Sequence, residues 1–331
     1  METSTLRPFL TGGARTPPRT SKLSTLSTIA LLLGLPLAGA CDGSTADDLG
    51  RAEGDAPNLS AQVATPEGAS GPTLPAITDP GQPGPFRAES VATAPGLSSH
   101  SLFVPRELGK DGIKHPIVVW TNGNGGSTSF YRAFLEHLAT HGFFVVADKR
   151  STSNHPLENG EQVKGIDWAV AQAQSGPYAG KIDPAAIAIM GHSLGSLASF
   201  ANGGDPRVAT SVHWSGGLTG NPVGADESVL AKLHAPAAFF CGGTDTMAGP
   251  ACAKDFERAP SGLPVFYGTL AGVGHLGVFG NRNGGEYGRV GVAWLRLQLA
   301  KDERFRSWFS GSSCEACKRP WTGKSRNLDA P

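Results

Sequence analysis

Residues 186–195 read AIAIMGHSLG. Five apolar positions followed by a serine between glycines form a buried strand that ends in a sharp turn, and LGSLASFA at 194–201 can begin a helix immediately afterwards. The pattern G-x-S-x-G occurs once, at Gly191, Ser193 and Gly195, in a chain that holds 45 glycines, so its weight comes from the strand before it and the helix after it. In a strand–turn–helix unit the serine hydroxyl projects from the carboxyl edge of the sheet, where the helix N-terminus favours developing negative charge. The plainer alternative is a small residue in a glycine turn, but such a serine has little need of glycine on both sides.

Working outward, IVVW at 117–120, FFVVA at 143–147, AIAIM at 186–190, residues 208–213 and residues 237–241 are short apolar runs, each followed by glycine or polar turn residues. They read as buried parallel strands. Helical patterns fall between them at 129–141, 158–174, after Ser193, and from about 286 to 309. Alternating strands and helices predict an α/β fold with a mostly parallel, doubly wound sheet flanked by helices and a nucleophile elbow at Ser193. Segments 86–93 and 99–104 supply antiparallel edge strands. No internal repeat is visible.

With 331 residues, 39% hydrophobic and 17% charged, the chain can bury a large core, and an α/β domain of about 200–250 residues fits as one unit. A formal net charge of zero leaves no basic excess for phosphates, so nucleic acid is not an expected partner and the substrate is expected to be neutral. Arg7, Arg15, Arg19 and Lys22 precede IALLLGLPLAGA at 29–40, the basic-then-apolar order of a secretory leader, and the run is too short to span a bilayer. LAGAC at 37–41 resembles a bacterial lipobox, which makes Cys41 the lipidated first residue; the alternative is cleavage at an A-x-A-like site that leaves Cys41 a free thiol. The predicted organisation is a lipoprotein-type leader over 1–40, a Gly/Pro/Ser-rich tether over 41–83, a catalytic domain over 84–310 and a tail over 311–331. Cys241, Cys252, Cys314 and Cys317 remain, and local loop closure favours the pairs 241–252 and 314–317. Against the first pair stands a buried thiol at the end of a strand; against the second, a redox or zinc motif.

A serine hydroxyl needs a histidine to take its proton and a carboxylate to hold that histidine. In a strand–turn–helix elbow the chain order is Ser, acid, His. His213, His234 and His275 follow Ser193; His213 lies within a strand pattern and His234 precedes the best acid, so order selects His275 in GVGHLG at 272–277. Asp245 ends AFFCGGTD just past a strand's carboxyl end, unlike Asp205, Asp226 and Asp255. Its alternative role is a helix N-cap, and that of His275 an ordinary loop histidine. His137 and His141 stand four apart, a spacing that also suits a metal, but they fit better in a helix that ends at Gly142. No metal or cofactor is expected. Two amides are needed for an oxyanion: Leu194, after the nucleophile, and Asn124 in the loop TNGNGG at 121–126.

PIVVWTNGNGGS at 116–127, FLEHLATHGFFVVA at 134–147, IMGHSLGS at 189–196, TDTMAG and GVGHLG resemble the polyester hydrolases and bacterial cutinases of the α/β-hydrolase superfamily, the group that includes poly(ethylene terephthalate) hydrolases. The resemblance runs from about residue 86 to 309. It implies Ser193, Asp245 and His275 as the triad, the amides of Asn124 and Leu194 as the oxyanion hole, and Trp214 as part of an acyl subsite. This chain has Asn124 where the family often has an aromatic residue. The resulting expectation is an exported, lipid-anchored serine hydrolase acting on a neutral, partly apolar carboxylic ester through an acyl-enzyme. A peptidase or amidase with the same triad, and an idle hydrolase fold serving as a surface binding module, are the alternatives.

Overall fold

Short, continuously apolar runs lay down the sheet, and the helices cover it on both faces. The computed structural model describes residues 73–150, 160–221 and 223–329. The leader and Cys41 lie outside the described residues. The elements in chain order are β1 (Ala88–Val91), β2 (His100–Pro105), β3 (His115–Thr121), α1 (Arg132–Thr140), β4 (Phe144–Asp148), α2 (Glu161–Ser175), β5 (Ile182–His192), α3 (Leu194–Ala201), β6 (Val208–Trp214), β7 (Ala237–Gly242), α4 (Gly249–Arg258), β8 (Val265–Leu270), α5 (Gly285–Gln298) and β9 (Trp321–Arg326). They build a nine-stranded sheet in the order β1-β2-β4-β3-β5-β6-β7-β8-β9. The strands from β4 to β8 in that order run parallel, and β1, β2 and β9 are antiparallel additions at the edges. This is the α/β-hydrolase fold, with the edge strands expected at 86–93 and 99–104 in place.

Side chains alternate between two cores. Val118, Trp120, Met190 and Phe240 point to the face covered by α1 and α5, whereas Ile117, Val119, Ile187 and Ile189 pack under α2. A further cluster seats α3 and α4 through Leu197, Phe200, Phe239 and Phe256. Strands buried on both faces explain why the sequence runs are continuously apolar rather than alternating with polar residues.

Three boundaries fall elsewhere than the sequence suggests. Residues 74–82, expected in the tether, lie along α1 and α5: His137 Nε2 donates to the Pro80 carbonyl at 2.8 Å, His141 Nε2 to that of Gln82 at 2.9 Å, and Arg296 Nη2 to that of Pro75 at 2.8 Å. Those contacts are polar and long-range in sequence, so composition does not reveal them. They also give the His137–His141 pair its place, as a clamp on this strap. The segment expected as a C-terminal tail contributes β9, which pairs Trp321 with Leu270 and Arg326 with Val265 and so covers an otherwise open edge of β8. The long helix expected to reach 309 ends at Gln298, and Lys301 takes a left-handed φ of 53° before a separate 3-10 turn at Glu303–Trp308.

Both cysteine pairs form, Cys241 with Cys252 and Cys314 with Cys317. The first ties the end of β7 to α4 and closes a loop that contains Asp245.

Among the described residues, six histidines are buried: His100, His115, His137, His141, His192 and His213. Burial lowers the pKa of each, to about 4 for His100 and His192 and to about 3 for His141 and His213. An unfolded histidine takes up its proton near pH 6.5, so below that pH the unfolded chain binds more protons than the folded one and stability falls as pH drops. The melting temperature is therefore expected to decline steadily from pH 7 to pH 4. A flat profile over that range contradicts the buried neutral state.

Candidate active site

The turn after β5 is forced into an unusual backbone shape by its neighbours. Ser193 has φ 53° and ψ −119°, a left-handed conformation rare outside glycine. A Cβ on Gly191 would lie 2.1 Å from the Gly195 carbonyl oxygen, and one on Gly195 would lie 2.2 Å from that of Thr121. Both flanking glycines are thus required by close backbone approach, which is the physical content of the G-x-S-x-G pattern. The elbow presents Ser193 at the carboxyl edge of the sheet, directly ahead of α3.

Two loops from the same edge meet it. His275, after β8, places Nε2 2.8 Å from Ser193 Oγ, and its Nδ1 lies 3.0 Å from Asp245 Oδ2. Asp245 follows β7, and its carboxylate is wholly enclosed, with 0% side-chain exposure against 16% for His275. Its other oxygen, Oδ1, accepts the amides of Met247 at 2.9 Å and Ala248 at 3.0 Å. Burial pushes the Asp245 pKa up, but the hydrogen bonds from His275 and these amides outweigh it, and the carboxyl is held below its ordinary range. Asp245 is not the N-cap of α4, a position held by Ala248; its Oδ1 instead holds the turn that leads into that helix, while Oδ2 faces the imidazole.

The loop between β3 and α1 forms the opposite wall. Asn122 anchors it from below, accepting from Trp120 Nε1 at 2.9 Å and donating to the Asp148 carbonyl at 2.6 Å. Asn124 stands beyond that anchor and lines a lobe of about 220 Å³ with Ser193, His275, Phe130 and Leu276. Leu194 lines a second lobe of about 370 Å³ on the other side of Ser193, with Gly216, Val223 and Met247. Among the described residues, the exposed large apolar side chains are Phe130 at 41%, Val223 at 40%, Met247 at 73% and Leu276 at 63%. All of them line one lobe or the other, so the apolar surface that is not in the core is gathered around Ser193.

Trp214 is the one residue expected in the cleft that the structure places elsewhere. It is 0% exposed and packs against Phe134, Phe240 and Tyr287 on the α1–α5 face. Strand alternation sends its side chain inward, and Ser215, Gly216 and Gly217 make the wall in its place. Sequence reasoning also passed over Tyr131 and His192, which line the first lobe. His192 lies inside the elbow motif itself, but it precedes Ser193, and the chain order Ser, acid, His points only to later histidines.

A sheet with a serine elbow, and an acid and a histidine supplied in turn by the loops after β7 and β8, defines an α/β-hydrolase. The family described as "PETase: PET hydrolase-like" matches residues 63–326, and this chain belongs to it. It is 26% identical over 255 residues to cutinase est1 of Thermobifida alba, covering 74% of this chain and 79% of that one. To cutinase 1 of Thermobifida cellulosilytica it is 26% identical over 230 residues, covering 67% and 83%. The cutinase of Thermobifida fusca strain YX is likewise 26% identical over 230 residues, covering 67% and 72%.

Proposed function

We propose that this chain is an exported serine carboxylic ester hydrolase that works through an acyl-enzyme. The observation that carries the proposal is the continuous chain from Ser193 Oγ through His275 to the enclosed Asp245 carboxylate, set at a strained elbow that opens onto an apolar-rimmed cleft. Membership in a family whose relatives include cutinases supports it.

Nδ1–H of His275 donates to Asp245 Oδ2, which leaves Nε2 bare to accept the Ser193 proton. Ser193 Oγ attacks the ester carbonyl as that proton moves to His275. The amides of Leu194 and Asn124 receive the oxyanion, and no hydrogen bond among the described residues occupies either of them. Collapse returns the proton to the leaving alcohol and leaves an ester on Ser193. A water, deprotonated by the same imidazole, then releases the acid. The chemistry requires no cofactor. The open, two-lobed cleft favours a neutral substrate with apolar groups on both sides of the scissile bond.

Two disulfides belong to an oxidising compartment, which supports export. Lipidation at Cys41, with display on the periplasmic side or the cell surface, completes the proposal, and detergent-phase partitioning of the full chain tests it. For the reaction, p-nitrophenyl esters of graded acyl length are compared with the matching p-nitroanilides. Turnover of the esters that exceeds that of the anilides by a factor of at least about 10³ is expected, given the poorer leaving group of an amide. Comparable amide turnover assigns the site to a peptidase or amidase, and absence of both activities leaves the fold as a binding module.

A further inference from the structure

A run of hydrogen bonds behind the cleft has its direction fixed at both ends. The Gly123 N–H can only donate, and it reaches Tyr131 Oη at 3.1 Å. At the far end the His275 carbonyl can only accept, and His192 Nε2 approaches it to 2.8 Å. The His192 proton therefore sits on Nε2, and Nδ1 is an acceptor. Tyr131 Oη, 2.8 Å from that Nδ1, must donate to it. Burial keeps both side chains neutral, lowering the His192 pKa to about 4 and raising that of Tyr131 to about 12. The backbone is shaped to admit the bridge: a Cβ on Gly123 would stand 2.9 Å from His192 Nδ1 and 3.1 Å from Tyr131 Oη. Phe279 packs edge-on to both rings, at 5.2 Å from Tyr131 and 5.1 Å from His192.

The bridge begins one residue before Asn124, passes through the residue that precedes Ser193, and ends on the backbone of the residue whose ring meets Ser193 Oγ. We infer that Tyr131 and His192 are positioning residues that hold the Asn124 amide and the His275 imidazole in one register about Ser193. Neither side chain takes a proton from substrate or nucleophile. They act by fixing the two loops against each other, so that the oxyanion donor and the general base stay aligned through both acylation and deacylation. The inference rests on the ester-hydrolase reading.

Tyr131→Phe removes one oxygen and leaves the aromatic packing. For p-nitrophenyl butyrate it is expected to lower kcat, per site titrated with a fluorophosphonate, by about 10- to 100-fold with KM within about twofold, a smaller effect than the 10²–10³ of deleting an oxyanion donor outright. Binding of an alkylboronic acid, which mimics the tetrahedral state, should weaken in parallel with kcat. His192→Gln can donate to the His275 carbonyl and accept from Tyr131, and should recover much of the kcat that His192→Leu loses. A purely structural role lowers the melting temperature and the number of titratable sites but not kcat per site. Wild-type kcat per site in Tyr131→Phe, or equal losses in His192→Gln and His192→Leu, overturns the inference and leaves the hydrolase reading intact. A wild-type protein that neither turns over the ester nor is labelled removes both.

Discussion

Ser193→Ala is expected to lower kcat toward a p-nitrophenyl ester by on the order of 10⁵–10⁶-fold, the scale seen when the nucleophile of a serine triad is removed. The substitution deletes one half-buried oxygen and keeps the backbone, so the fold should survive: alanine meets the same left-handed conformation that Ser193 already occupies at φ 53°. His275 then has no hydroxyl at 2.8 Å to deprotonate, and the remaining rate comes from the oxyanion amides and from substrate binding alone. Melting temperature and circular dichroism verify the fold, and steady-state kinetics read the loss. Substantial turnover by the folded variant assigns the nucleophile to another residue.

Asp245→Asn is expected to cost on the order of 10⁴-fold in kcat. The carboxylate accepts on both oxygens, from His275 Nδ1 on Oδ2 and from the amides of Met247 and Ala248 on Oδ1. An asparagine has one acceptor and one donor, so each orientation opposes an NH₂ to a donor. If the NH₂ faces His275, the imidazole is driven to the tautomer protonated on Nε2, which cannot take the Ser193 proton. If it faces the amides, the turn before α4 loses the hydrogen bonds from Met247 and Ala248, and the loop moves the acid. The Cys241–Cys252 bond limits how far that loop can shift, which leaves the chemical defect dominant over the structural one. Kinetics on a soluble ester check this, and activity within tenfold of wild type points to a different carboxylate.

Much of this site is legible in the chain because its parts are local. Gly191, Ser193 and Gly195 encode a turn whose steric demands act over five residues, and Asp245 and His275 follow strands whose apolar runs mark where the sheet ends. Chain order then selects among three histidines. The direction of Trp214 is not local: whether a residue at the end of β6 points to the cleft or to the core depends on the strand's register against β5 and β7, and one step reverses it. The strap at 74–82 and strand β9 escape for a related reason. Their stabilising partners, Arg296, His137 and the edge of β8, are distant in sequence, and their own composition is that of loops. Tyr131 and His192 are hidden differently, since only the meeting of three loops makes them a pair.

The central claim is that Ser193 is the nucleophile of an acyl-enzyme, and covalent trapping tests it most directly. The purified full chain is treated with a fluorophosphonate, digested, and the adduct located by mass spectrometry. One adduct per chain on Ser193, formed at a rate that collapses in His275→Ala, is the predicted result. An adduct on another residue, or none on a folded protein, contradicts it.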